Sequence, residues 1–172
     1  AGCLTHGEKN KAQVDEYGKE ALEKLKNARV AVIGLGGVGG AAAEALLRAG
    51  IGHLLFIDGD SVDETNINRQ ILATYETVGA DKIEAARLRF EKIAPDCDIT
   101  YKKEFYLPEN SAFLYDWNPD YIIDAIDTVS GKLAIIEGAK NAGLTAVAVH
   151  ECKDSSADYY FENLDEFLTL LY

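Results

Sequence analysis

Apolar residues along the chain fall into two rhythms: short unbroken runs bounded by turn residues, and longer stretches with an apolar stripe at helical spacing. The runs RVAVIG (29–34), HLLFID (53–58), YIIDAI (121–126) and LTAVAV (144–149) read as buried strands, with DITYKKEF (98–105) as a further strand between the second and third of them. GGAAAEALLRAG (39–50) is almost wholly apolar, with Glu44 and Arg48 four apart on its polar face and Gly50 as its stop, the pattern of a helix pressed onto a sheet. DKIEAARLRFEKIAP (81–95) places Ile83, Ala86, Phe90 and Ile93 on one stripe, with Asp81 as N-cap and Pro95 beyond its end. DEYGKEALEKLKNA (15–28), GKLAIIEGAKNAG (131–143) and NLDEFLTLLY (163–172) complete the set of expected helices.

Strands alternating with helices imply right-handed crossovers between parallel strands. The expected fold class is therefore α/β, a three-layer arrangement around a mostly parallel sheet in the order 3-2-1-4-5, which puts the reversal of strand order between strands one and four. The expected organisation is a single domain over 1–172. It comprises an N-terminal helical segment (1–28), a core (29–143), and a C-terminal strand and helix (144–172).

Charge narrows the function classes. Among 172 residues, 17 Lys and Arg stand against 29 Asp and Glu, a net charge of −12 that repels nucleic acid at long range, and no basic cluster offsets it. No apolar run approaches the roughly 20 residues that cross a bilayer, and the opening AGCLTHGEKN lacks the layout of a signal peptide. The expectation is a soluble cytoplasmic protein with no membrane partner. Cys3, Cys97 and Cys152 are odd in number and far apart, so they read as idle thiols. His6, His53 and His150 lack metal-ligand spacing.

Candidate chemistry begins at AVIGLGGVGG (31–40). Gly34, Gly36 and Gly39 satisfy G-x-G-x-x-G between a strand and a helix, where glycines let backbone approach a phosphate and the helix start supplies free N–H groups. Close helix–sheet packing alone is the other explanation. Asp58, at the end of the second strand, has the spacing of a carboxylate that accepts hydrogen bonds from a ribose, which suits NAD and ATP equally. The block Asn66, Asn68, Arg69 and Gln70 is more polar than an NAD site requires. Lys82 stands in the first turn of a helix, where the macrodipole disfavours a cation, so an anion is expected nearby: Asp81 or a triphosphate. Asp127 follows the fourth strand at the same sheet edge and suits Mg²⁺, which takes one or two carboxylates plus phosphate oxygens, though it could also cap the next helix. Asp124 reads as a buried hydrogen-bonding group.

Taken together, VAVIGLGGVGG, LLFIDGDSVDETNINRQ, VGADKIEAA and IIDAIDT resemble the ATP-binding core of the ThiF/MoeB/HesA group, the ubiquitin-activating-enzyme-like adenylating proteins with a Rossmann-like fold. NINRQILA, IAPDCDIT, EFYLPEN and YIIDAIDTVSGKLAII are most similar to the branch of tRNA threonylcarbamoyladenosine dehydratases. The resemblance covers about residues 15–143. It implies ATP and Mg²⁺ as cofactors, with Gly37 in the phosphate turn, Asp58 on the ribose, Asn66, Arg69 and Lys82 on the phosphates, and Asp127 on the metal. Arg69, Lys82 and Asp127 would be the catalytic set. It further implies a homodimer, tRNA as a partner, and adenylation of a carboxylate or carbonyl oxygen followed by cyclisation.

Two features depart from that pattern. Relatives carry an N-terminal Arg that reaches the partner's site, whereas no Arg precedes Arg29 here and Lys9 or Lys11 would be a weak substitute. The ending after LTAVAV resembles the closing strand and helix of haloacid-dehalogenase-type phosphatases, which raises the reading of a chimeric chain and of Asp58 and Asp60 as a phosphatase D-x-D pair. A non-catalytic scaffold and an NAD-dependent oxidoreductase complete the alternatives.

Overall fold

The computed structural model describes residues 18–149. The expected helix over 163–172 and most of the phosphatase-like ending therefore lie outside the described residues, as do Lys9, Lys11, Cys3, Cys152, His6 and His150.

Five parallel strands form one sheet in the order β3-β2-β1-β4-β5: β1 (Arg29–Ile33), β2 (His53–Ile57), β3 (Asp98–Lys102), β4 (Tyr121–Asp124) and β5 (Thr145–Ala148). This is the order that the alternation of elements predicts. The helices are α1 (Lys19–Asn27), α2 (Gly37–Ala49), α3 (Lys82–Ile93), α4 (Ala112–Asp116) and α5 (Val129–Ala142). Alternate residues of β1 point to opposite faces, as the pleat demands. Val30 and Val32 join a core with Leu22 and Leu25 of α1, Leu46 and Leu47 of α2, and Ile83 and Phe90 of α3. Ala31 and Ile33 join a second core with Leu114 of α4 and Ile135 and Ala139 of α5. Helices thus cover both faces, and the continuous apolar character of β1 and β2 reflects burial on each side.

Several strands are shorter than the apolar runs suggest, because pairing stops where a neighbour turns away. Asp124 pairs with Ile33, the last residue of β1 before the chain turns at Gly34, so the expected strand over 121–126 ends there. Lys102 pairs with Ile57, the last residue of β2, and the expected strand over 98–105 ends likewise. Helix α5 begins two residues before the expected start at 131, with Thr128 rather than Asp127 in the N-cap position. Asp81 does occupy the N-cap position of α3, but its side chain makes no capping hydrogen bond. Its carboxylate pairs instead with the Lys103 ammonium at 2.8 Å. To residues 106–120 the pattern assigns no element, and the structure builds a 3-10 turn at Pro108–Asn110 and then α4.

Candidate nucleotide cleft

The carboxyl ends of β1, β2 and β4 surround a cleft of about 280 Å³, at the point where strand order reverses. Its floor is the glycine turn. Gly34 adopts φ 90°, a left-handed conformation that an L side chain resists, and its N–H donates to the Ile57 carbonyl at 2.8 Å. A Cβ on Gly39 would lie 1.9 Å from the Gly34 carbonyl oxygen and 2.9 Å from the Ala125 side chain. Gly39 therefore serves the packing of α2 against the turn, and it is not among the residues lining the cleft. Gly36 differs: a Cβ there would meet nothing closer than the Gln70 amide nitrogen at 4.0 Å, so the position faces open space. Gly36 also caps α2 without any side-chain hydrogen bond, and the first turn carries no acidic residue. A helix start with neither a side-chain cap nor an acidic first turn in general favours an anion.

At the exit of β2 lies Asp58, 7% exposed. Its Oδ2 accepts from the Leu35 N–H at 2.6 Å and its Oδ1 from the Asp60 N–H at 2.7 Å. Burial pushes its carboxyl above the ordinary value, opposed by those two N–H donors and by the nearby Lys82 charge. Each oxygen keeps a lone pair for a hydroxyl donor. Such a doubly anchored carboxylate suits a fixed acceptor better than the free nucleophile that a phosphatase reading needs. Lys82, in the first turn of α3, is 6% exposed and reaches back over the cleft, with Nζ 3.0 Å from Asp60 Oδ2. The anion beside this lysine is thus Asp60, not Asp81; the sequence reading names Asp60 only in the phosphatase-type pair and does not connect it to Lys82. Coming from a loop of more than twenty residues, that pairing carries no periodic signal.

Of the remaining expected site residues, the cleft wall includes Gly37, Arg69 and Asp127. The Arg69 guanidinium donates to the Thr65 carbonyl at 2.9 Å and to Asn68 Oδ1 at 3.0 Å. Asp127 is exposed on the opposite wall. Asn66 is not among the lining residues: its Oδ1 accepts from the Asp63 N–H at 3.0 Å and closes a 3-10 turn at Glu64–Asn66. Asp124 is buried, as expected, and its Oδ1 accepts from the Ile126 N–H and the Lys132 ammonium, each at 3.2 Å.

Three lining features take places in the cleft that the sequence reading does not give them. Gln70 is buried, with its Oε1 unpartnered, at the edge of the turn. Asp60 holds Lys82. Residues 104–107 supply an apolar lip with Phe105 and Leu107 exposed, and Phe105 packs where a Gly59 side chain would otherwise stand. For that lip the two exposed apolar side chains in EFYLPEN were the available signal. Elsewhere the chemistry is quiet. The Cys97 thiol donates to the Ile51 carbonyl at 3.2 Å, and burial pushes it up to about 11. Among the described residues no group of three or more His, Cys, Asp or Glu could hold a metal by itself.

The ThiF family model matches residues 9–151. A tRNA threonylcarbamoyladenosine dehydratase of Bacillus subtilis is 47% identical over 120 residues, covering 70% of this chain and 47% of that protein. The enzyme of the same description from Escherichia coli is 45% identical over 120 residues, covering 70% of this chain and 45% of its own. The crystal structure of the Escherichia coli dehydratase in complex with ATP superposes with a TM-score of 0.79 at 37% identity, over 86% of this chain and 61% of that one. The chain thus spans about half the length of the curated relatives it matches. In fold and in matched sequence, it belongs to the ThiF family.

Proposed function

We propose that the chain is an ATP-binding adenylating domain of the tRNA threonylcarbamoyladenosine dehydratase type, folded as a single nucleotide-binding unit over 1–172 around the core at 29–143. The observation that carries this reading is the convergence of an uncapped glycine turn, the anchored Asp58, Arg69, Lys82 and Asp127 on one cleft. The turn and the start of α2 would take phosphate oxygens, Asp58 the ribose hydroxyls, and Arg69 and Lys82 the charge of the polyphosphate. ATP supplies an electrophilic α-phosphorus that a substrate oxygen attacks as pyrophosphate leaves. The guanidinium and ammonium stabilise charge on the phosphoryl oxygens during that displacement.

A magnesium ion fits the same cleft. The exposed Asp127 offers one carboxylate, and phosphate oxygens and water would complete the octahedron, since Mg²⁺ is rarely held by an all-protein cage. Asn66, held in its turn, would shape the loop that presents Arg69, and Gly39 would act through the packing of the turn. A homodimer, a cytoplasmic location, and a tRNA adenosine bearing a threonylcarbamoyl group as the acceptor belong to the same proposal. The net charge of −12 makes tRNA the partner that most needs direct measurement.

Calorimetric titration of ATP with Mg²⁺, ADP, AMP and NADH into the wild type and Lys82→Ala tests this reading. ATP with Mg²⁺ is expected to bind more tightly than NADH, and Lys82→Ala to weaken it roughly tenfold, the range for losing one charge-assisted hydrogen bond. Tighter binding of NADH, or an ATP affinity indifferent to Lys82, overturns it. ATP binding without pyrophosphate exchange favours the non-catalytic scaffold over the adenylating domain.

A further inference from the structure

Asp60 touches both of the charged groups that define the inner wall of the cleft. Its backbone N–H donates to Asp58 Oδ1 at 2.7 Å, its carbonyl accepts from the Lys82 N–H at 3.0 Å, and its Oδ2 stands 3.0 Å from Lys82 Nζ. The adjoining residues reinforce this. Ser61 and Asp81 form an antiparallel bridge, and the Val62 N–H donates to the Ala80 carbonyl at 2.8 Å, so 60–62 and 80–82 run as a short ladder beside the end of β2.

We propose that Asp60 is a positioning residue: it holds the Lys82 ammonium aimed into the cleft and ties it, through its own backbone, to Asp58. The inference rests on reading the cleft as a nucleotide site. Lys82 needs such a partner for two reasons. It is buried, and a buried ammonium without a counter-charge is costly. It also lies at a helix start, where the dipole opposes it. A lysine side chain is a flexible stem carrying three donors, and the Asp60 carboxylate takes one of them. The other two remain for an anion, so lysine, aspartate and phosphate can be bound at once. The Asp60 side chain is 55% exposed against 8% for Lys82, which puts the carboxylate on the solvent side and leaves the ammonium as the inner, directed group.

The test compares Asp60→Asn, Asp60→Ala, Lys82→Ala and the double variant Asp60→Ala/Lys82→Ala, by titration with ATP and Mg²⁺. Positioning predicts a loss of about tenfold in affinity for Asp60→Ala. It predicts rescue to within about threefold of wild type in Asp60→Asn, whose amide oxygen still accepts from the ammonium. The double variant should be no weaker than Lys82→Ala, because Asp60 acts through that side chain. An equal loss on both lysine backgrounds, or tighter binding in both single Asp60 variants, overturns the proposal in favour of independent contact or simple repulsion. A second readout needs no nucleotide: the rate at which limiting acetic anhydride acylates Lys82, followed by peptide mass spectrometry. Only the free amine is acylated, and the contact with the Asp60 carboxylate holds Nζ in place and shields it from the reagent, so Asp60→Ala should speed acylation at least threefold, and Asp60→Asn less. An unchanged rate overturns the pairing. If the wild type fails to bind ATP while the acylation rate shifts as expected, the nucleotide reading falls and the Asp60–Lys82 brace stands.

Discussion

The two walls of the cleft are built differently. At the exit of β2, Asp58 and Lys82 are buried, both Asp58 oxygens are held by backbone N–H groups, and Asp60 links the pair. At the exit of β4, Asp127 is exposed, one residue outside the N-cap of α5. The first wall is finished before any ligand arrives, which reduces the cost of ordering it on binding. The second presents a carboxylate to water, as suits a group that shares a hydrated cation. The strands behind the two walls do not differ in this way: β2 and β4 are each flanked on both sides and nearly all buried, so the contrast lies in the segments that follow them.

Variants can break or sharpen this contrast. The largest effect is expected at the seam between the walls, where Gly39→Ala would drive a methyl into the Gly34 carbonyl and the Ala125 side chain. The Gly34 carbonyl is backbone and the Ala125 methyl has no flexible end to swing aside, so neither contact can yield cheaply. A loss of about 3 kcal/mol in urea unfolding is expected, at the upper end for overpacking, and a loss under about 1 kcal/mol would mean that the seam is softer than the geometry implies.

Asp58→Asn comes next, at about 1–2 kcal/mol, since an amide offers one acceptor oxygen to two backbone donors. This change also has a pH signature. Because burial raises the Asp58 carboxyl above its ordinary value, the stability it carries is present below the ordinary carboxylate range and is lost as pH rises through the raised value. Glu44 acts oppositely: hydrogen bonding from Arg89 holds it below its ordinary value, with Arg48 adding to the effect, so its contribution is lost as pH falls. The wild type should therefore decline relative to Asp58→Asn as pH rises from about 4 toward neutrality, while the Glu44 dependence stays common to both. Parallel stability curves for the two proteins would contradict the assigned burial effect.

The smallest change in stability belongs to Asp127→Ala, within about 0.5 kcal/mol for an exposed side chain. Its effect should appear only with ligand, as a roughly tenfold weakening of ATP binding in Mg²⁺, the cost of one charge-assisted contact, and none without the metal. A thermal-shift series with and without Mg²⁺ distinguishes these, and equal weakening in both conditions would remove Asp127 from the metal.

The fold was legible because its information is local and repeated. Apolar runs such as HLLFI and VAVI, the glycine stop at Gly50 and the stripe of Ile83, Ala86 and Phe90 each name an element without reference to any other. Their alternation is enough to imply a parallel sheet with its reversal beside β1. Strand ends were less legible, since Asp124 and Lys102 terminate where a neighbouring strand turns away, a fact held in the neighbour's sequence.

At the site the division is sharper. By itself the sequence determined which chemical groups reach the carboxyl edge, because Gly34 and Asp58 directly follow strands and Asp127 stands three residues beyond one. Only the tertiary structure decided which of them face the cleft. Gly36 fronts open space while Gly39 is consumed by packing, and Asn66 closes a turn while Gln70 lines the wall. The Lys82 counter-ion likewise came from the far end of a loop. Direction and pairing across such a distance depend on how the chain closes on itself, and no local pattern of residues encodes that.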